Sequence, residues 1–147
     1  MVDRATPNSK ACPFCEGIAA RIIAGNPLAF AIRDAFPVSP LHCLVIPRRH
    51  VEDWFGLTAA EREACAELLQ ELRSAILAED PAVAGFNIGM NAGLAAGQSI
   101  FHSHIHLIPR RTGDVEHPRG GVRLLMPRTG AQTSKVCPFG NKEFEEG

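Results

Sequence analysis

The segment Phe101-His102-Ser103-His104-Ile105-His106-Leu107-Ile108 carries three imidazoles at alternate positions. Side chains alternate between the faces of a β-strand, so three such rings project from one side while Ile105 and Leu107 point into a core. Neighbouring rings then sit roughly 7 Å apart. That spacing suits one imidazole acting as a nucleophile at phosphorus while its neighbours grip the same phosphate. Histidine fits the task because its ordinary pKa of about 6.5 leaves much of it neutral and nucleophilic at cellular pH. Upstream lie Asn91-Ala92-Gly93 and Gly97-Gln98-Ser99. A glycine-rich turn of this kind can aim backbone N–H groups at an anion, with Asn91, Gln98 and Ser99 as neutral donors beside it. The bland alternative is a solvated strand face that happens to be rich in histidine, and three rings within five residues weigh against it.

The elements that must position these groups follow from periodicity and turn residues. Arg21–Ile23 and Leu28–Arg33 read as strands around a Gly25-Asn26-Pro27 turn, and Leu41–Ile46 as a strand closed by Pro47. Thr58 with Glu61 forms a capping box that opens the one clear helix. Cys65, Leu68, Leu69, Leu72, Ala75 and Ile76 follow helical spacing up to Pro81. Phe86–Met90 and Ile100–Ile108 are further strands. Strands, one long helix, then strands predict an α+β fold with an antiparallel sheet covered on one side. Trp54 and Phe55 are read as a staple at the helix entry, with the lining of a base pocket as the alternative for an aromatic here, and Cys43 and Cys65 as core.

The 147 residues correspond to one domain by size. The reading is residues 1–10 as a loose lead-in, 11–111 as the domain, and 112–147 as an Arg/Gly/Pro-rich extension. A net charge of −1 argues against a general nucleic-acid binder. No apolar run reaches the roughly 20 residues of a membrane helix, and the first ten residues have no signal-peptide core, so a cytoplasmic protein is expected. Five cysteines do not close a disulfide framework. Cys12-Pro13-Phe14-Cys15 is spaced for a tetrahedral zinc site that needs two more ligands, or for a redox-active or idle thiol pair.

His102-Ser103-His104-Ile105-His106-Leu107-Ile108 resembles the signature of the histidine-triad superfamily of nucleotide hydrolases and transferases. Pro40-Leu41-His42-Cys43-Leu44-Val45-Ile46-Pro47-Arg48-Arg49-His50 is similar to the strand of that family that reads P-x-H-x-L-V-I-P-x-x-H, and Asn91 to Ser99 to its phosphate loop. The resemblance runs over residues 12–111. It implies that His104 attacks the α-phosphorus and becomes transiently nucleotidylated, with a backbone carbonyl holding its other nitrogen. It implies further that His106 binds phosphoryl oxygens and helps protonate the leaving group, that Asn91, Gln98 and Ser99 contact phosphate and leaving group, and that Asp34 binds the ribose hydroxyls. His42 supports the site. Ile22, Ile23, Leu28, Phe30 and Ile32 correspond to a base pocket or to core.

In branches of this superfamily a thiol pair like Cys12 and Cys15 is joined by histidines matching His50 and His102, which implies a closed, structural zinc site. No catalytic cofactor is then required. Cys137-Pro138-Phe139 repeats the sequence of the first pair and is read as coincidence. Arg110, Arg111, Arg119, Arg123 and Arg128 suit polyphosphate oxygens, and residues 113–123 look like a tail of bacterial diadenosine polyphosphate hydrolases. The implied activity is hydrolysis at the α-phosphate of such substrates to a nucleoside monophosphate. The alternatives are a nucleotidyl transferase or phosphorylase, and a zinc-stabilised nucleotide-binding module with little turnover. A homodimer is implied, with no nucleic-acid or membrane partner.

Overall fold

The computed structural model of the chain describes residues 12–126. Strands Ile22–Gly25 (β1), Ala29–Arg33 (β2) and Cys43–Pro47 (β3) precede one helix, Ala59–Glu79 (α1), and strands Val83–Gly89 (β4) and Ile105–Arg111 (β5) follow it. The five strands form one antiparallel sheet in the order β1-β2-β3-β5-β4. This is the expected α+β architecture, with one long helix packed on the sheet.

Strand alternation decides what each face holds. Ala29 and Ala31 of β2, Cys43 and Val45 of β3, and Ile105 and Leu107 of β5 pack beneath Ala64, Cys65, Leu68, Leu72 and Ile76 of α1. Each fully buried Leu or Ile there contributes about 1.5–3 kcal/mol of transfer free energy. Phe30, Ile32, Leu44 and Ile46 face the other way and bury Phe14 and Ile18. His106 pairs with Leu44 across the sheet, which puts it on this helix-free face.

Local chemistry fixes the helix entry. The Thr58 hydroxyl accepts the Glu61 N–H at 3.1 Å, and the Glu61 carboxylate accepts the Thr58 N–H at 2.8 Å. Glu61 also takes a bidentate pair from Arg49 at 2.7 and 2.8 Å. The Arg49 guanidinium is the main cause that holds the buried Glu61 carboxyl down at about 2. Trp54 packs on the core below this turn, whereas Phe55 is 82% exposed and staples nothing.

The expected strand over Ile100–Ile108 begins only at Ile105. The Ser103 N–H leaves the ladder for the Val51 carbonyl, and His102 Nε2 reaches the Pro47 carbonyl at 2.8 Å. Those partners lie outside the β3–β5 pairing, so residues 100–104 form an irregular approach to the strand. Two compact units divide after Asp114. Of the second, the described part contains a 3₁₀ stretch at Gly121–Leu125 with exposed Val122, Leu124 and Leu125. The N-terminal lead-in, Arg128 and Cys137 lie outside the described residues. No helix among the described residues is long and apolar enough to cross a membrane.

Candidate functional site

Two clusters flank His104. The first gathers Cys12, Cys15, His50 and His102. A tight turn in which the Cys15 and Glu16 N–H groups bond the Cys12 carbonyl brings the two sulfurs together. His102 Nδ1 lies 3.5 Å from both Cys12 Sγ and Cys15 Sγ, and His50 Nδ1 lies 3.2 Å from Cys15 Sγ. All four donor atoms fall within 4.8 Å of one another. A tetrahedron with metal–sulfur bonds of about 2.3 Å and metal–nitrogen bonds of about 2.05 Å has sulfur–nitrogen edges of about 3.5 Å, so the donors fit such an ion. His102 Nε2 donates to the Pro47 carbonyl at 2.8 Å, which turns the Nδ1 lone pair toward the sulfurs. Desolvation of the sulfur and the adjacent Cys12 thiol push Cys15 up to about 11, so a nearby cation is what would hold the Cys15 sulfur as a thiolate.

The second cluster gathers Asp34, His42 and His106. His42 Nε2 is 2.9 Å from His106 Nδ1 and 3.4 Å from Asp34 Oδ2, and Asp34 Oδ2 is 3.8 Å from His106 Nδ1. Asp34 Oδ1 accepts the Phe36 N–H at 2.8 Å, which holds the carboxylate at the end of β2. Burial, then the neighbouring His104 and His42, push His106 down to about 4, with Asp34 opposing them. Burial also lowers His42. Both rings are therefore neutral near pH 7.

Between the clusters, His104 is nearly buried and its Nδ1–H donates to the His102 carbonyl at 2.8 Å. Its Nε2 consequently carries the free lone pair. The ring stands edge-on to Phe14, at 5.2 Å between centroids, and to His106, at 5.3 Å. Phe14 also meets His102 edge-on at 5.9 Å. Phe14 is a site residue that the sequence motifs do not single out. Its place between two candidate metal ligands was the available signal.

The loop before the histidines turns through Gly93 and Gly97, at φ 91° and 85°, conformations that a side chain would strain. Gln98 is 2% exposed. Its Oε1 accepts the Gly93 N–H at 2.8 Å, and its Nε2 donates to the Glu52 and Ile100 carbonyls at 2.6 and 3.1 Å. Both amide protons are thus engaged inside the loop, and Gln98 braces it. Asn91 is half-buried and Ser99 exposed at the loop's two ends. Phe30 and Ile32 are core, Ile22 packs against them half-buried, and Ile23 and Leu28 are exposed.

Arg110 and Arg111 are not open to a polyphosphate. Arg110 makes a bidentate pair with Asp114 and bonds Asn87 Oδ1 at 2.7 Å. Arg111 holds Asp80 Oδ2 through two nitrogens and bonds Ser39 Oγ and the Pro40 carbonyl. The carboxylates that neutralise them are distant in sequence or lie across a turn, which composition does not reveal.

The HIT domain matches residues 16–113 of the chain. An uncharacterised 16.1 kDa HIT-like protein of Mycoplasma pneumoniae is 32% identical over 114 residues, covering 75% of this chain and 78% of the relative. An AP-4-A phosphorylase of Mycobacterium tuberculosis is 35% identical over 96 residues, covering 63% of this chain and 48% of the phosphorylase. The crystal structure of a Zn-bound histidine triad family protein from Mycobacterium smegmatis matches at a TM-score of 0.66 and 30% identity, over 80% of this chain and 92% of that one. Sheet, helix and histidine segment all fall inside the matched span, and the chain belongs to the HIT domain family of nucleotide-binding and nucleotide-processing proteins.

Proposed function

We propose that this chain hydrolyses nucleotides at the α-phosphate through a nucleotidyl-histidine, with diadenosine polyphosphates as the substrate class. The observation that carries the reading is the His104 Nδ1–H bond to the His102 carbonyl at 2.8 Å, which leaves the Nε2 lone pair as the nucleophile. In the first displacement Nε2 forms a bond to the α-phosphorus, and the bond from phosphorus to the distal polyphosphate oxygen breaks with its electron pair. In the second, water attacks phosphorus, the phosphorus–nitrogen bond breaks with its pair returning to Nε2, and one proton of the attacking water passes to solvent, leaving the nucleoside monophosphate. Dividing one substitution into two is the general gain of covalent catalysis. His106 and Ser99 stabilise charge on phosphate and leaving group, Asn91 and the Gln98-braced loop hold the phosphate, and Asp34 takes the ribose hydroxyls with His42 behind it. The test is His104→Ala, which should bind nucleotide but neither form the covalent adduct, detected by mass spectrometry after quenching, nor release nucleoside monophosphate.

The second reading is a phosphorylase, favoured by the similarity to the mycobacterial AP-4-A phosphorylase. Added inorganic phosphate would then yield a nucleoside diphosphate in place of the monophosphate. For the metal, the Cys12, Cys15, His50 and His102 donors suit zinc in a structural role, and the Zn-bound relative supports the choice. With four protein ligands such an ion has no open position for water.

The assembly proposed is a homodimer. β4 is an edge of the sheet, and beside it lies an apolar cavity of about 370 Å³ lined by Trp54, Phe55, Leu69, Ile88, Met90 and Ile105. Ile88 is 55% exposed on that strand. A second β4 pairing here would cover both the open edge and the cavity.

A further inference from the structure

The protons of the Asp34–His42–His106 cluster can be assigned from its bonding. His42 Nδ1 lies 3.2 Å from the Val38 backbone nitrogen. An amide N–H only donates, so Nδ1 must hold a lone pair, and a neutral His42 then carries its proton on Nε2. That Nε2–H meets His106 Nδ1 at 2.9 Å, with Asp34 Oδ2 at 3.4 Å as a weaker second acceptor. His106 Nδ1 is therefore an acceptor, and its own proton sits on Nε2. We infer that His42 is a positioning residue that locks His106 as a neutral imidazole with an Nε2–H free of His42, so that His106 serves the reaction as a hydrogen-bond donor and not as a proton-releasing acid.

Other features agree. Leu41 sits at φ 69°, a left-handed conformation that a leucine adopts only under constraint, and it redirects the chain immediately before His42. Its carbonyl is held by Arg33 Nη1 at 3.1 Å, and the His42 N–H is held by the Ser39 carbonyl. The titratable groups facing His106 are His104, His42 and Asp34; burial and the two rings outweigh the carboxylate and favour its neutral form. The inference rests on the hydrolase reading in one respect. A polyphosphate leaves as an anion whose last ionisation lies at a pKa of about 6, so near neutrality its departing oxygen needs an N–H to lean on but no proton.

The same wiring bears on a second metal site. Asp34, His42 and His106 have donor atoms spaced as a cation would require. A cation on His42 Nε2 needs a lone pair where this bonding pattern places a proton. The cluster is thus a hydrogen-bond relay and not a ligand set.

Nitrogen-15 long-range ring correlations on the full-length chain test this directly. Near neutral pH His42 and His106 should each show a bare Nδ1 and a protonated Nε2, and the His106 pattern should persist down to about pH 5, still above its pKa of about 4. Zinc added beyond one equivalent should leave both sets of signals in place. His42→Leu should lose the single His106 form and lower kcat about 10²-fold at little-changed KM, as a misoriented reacting group does. His42→Gln, which offers an amide N–H in place of Nε2, should recover most of that loss. A wild-type His106 protonated on Nδ1 or on both nitrogens overturns the inference, as do zinc-shifted signals or a His42→Leu variant with an unaltered ring spectrum. If the chain releases no nucleoside monophosphate, the hydrolase reading fails while the ring spectrum still decides the relay.

Discussion

The two clusters on either side of His104 look alike by residue type and spacing, yet their chemistry is opposite. Each groups histidines with acidic or thiol side chains whose donor atoms lie within 4.8 Å. What separates them is the remaining nitrogen of one ring. At His102 that nitrogen donates to the Pro47 carbonyl, so a lone pair converges with two sulfurs. At His42 it accepts the Val38 N–H, so a proton lies between the rings. Ligand spacing alone therefore does not identify a metal site, because the backbone group behind each imidazole chooses lone pair or proton.

The variants that probe this contrast span a wide range of effects. His104→Ala, placed between the clusters, should lower turnover on the order of 10⁴-fold or more, the scale of losing a covalent nucleophile, with nucleotide binding measured by titration retained. Cys12→Ser or Cys15→Ser should abolish metal content and lower the melting temperature by about 10 °C or more, because metal binding at a closed site is folding free energy. Asp34→Asn should leave metal content and melting temperature nearly unchanged while raising KM about 10-fold through a lost charge-assisted bond to ribose. Equal metal loss in the cysteine and Asp34 variants would break the contrast. Ile88→Asp should convert a dimer to a monomer in light scattering and leave the ring signals of both clusters where they were.

Acid stability sharpens the contrast with the smallest effect. The folded-state value of His106 lies below its ordinary 6.5, at about 4, so in that interval the unfolded chain binds the extra proton. Stability is then full above about 6.5 and declines as pH falls toward 4. Glu61, held at about 2, adds a second loss as pH falls below 4.5. Urea unfolding across this range should show the first decline weakened in His42→Leu, because a His106 released to pair with Asp34 titrates closer to its ordinary value.

Much of the fold was legible along the chain. Thr58, Glu61 and the spacing of Cys65, Leu68, Leu72 and Ile76 announced α1, since capping and helical periodicity act within a few residues. Ile105 and Leu107 pointed into the core as alternation requires. The early start expected for β5 failed because Ser103 and His102 bond to Val51 and Pro47, some 50 residues away in the chain. Phe55 failed as a staple for a related reason, since only packing decides which of two adjacent aromatic rings is covered.

Residue types and their order determined that this chain holds a histidine row, a thiol pair and a single helix over an antiparallel sheet. Those are local properties, written in periods of two and of three to four residues. Tertiary structure alone decided which ring nitrogen bears a proton, that Gln98 turns inward to brace its loop, and that Arg110 and Arg111 are held by carboxylates. Each of these depends on a partner brought close by folding, and an imidazole's tautomer has no meaning until its neighbours are in place.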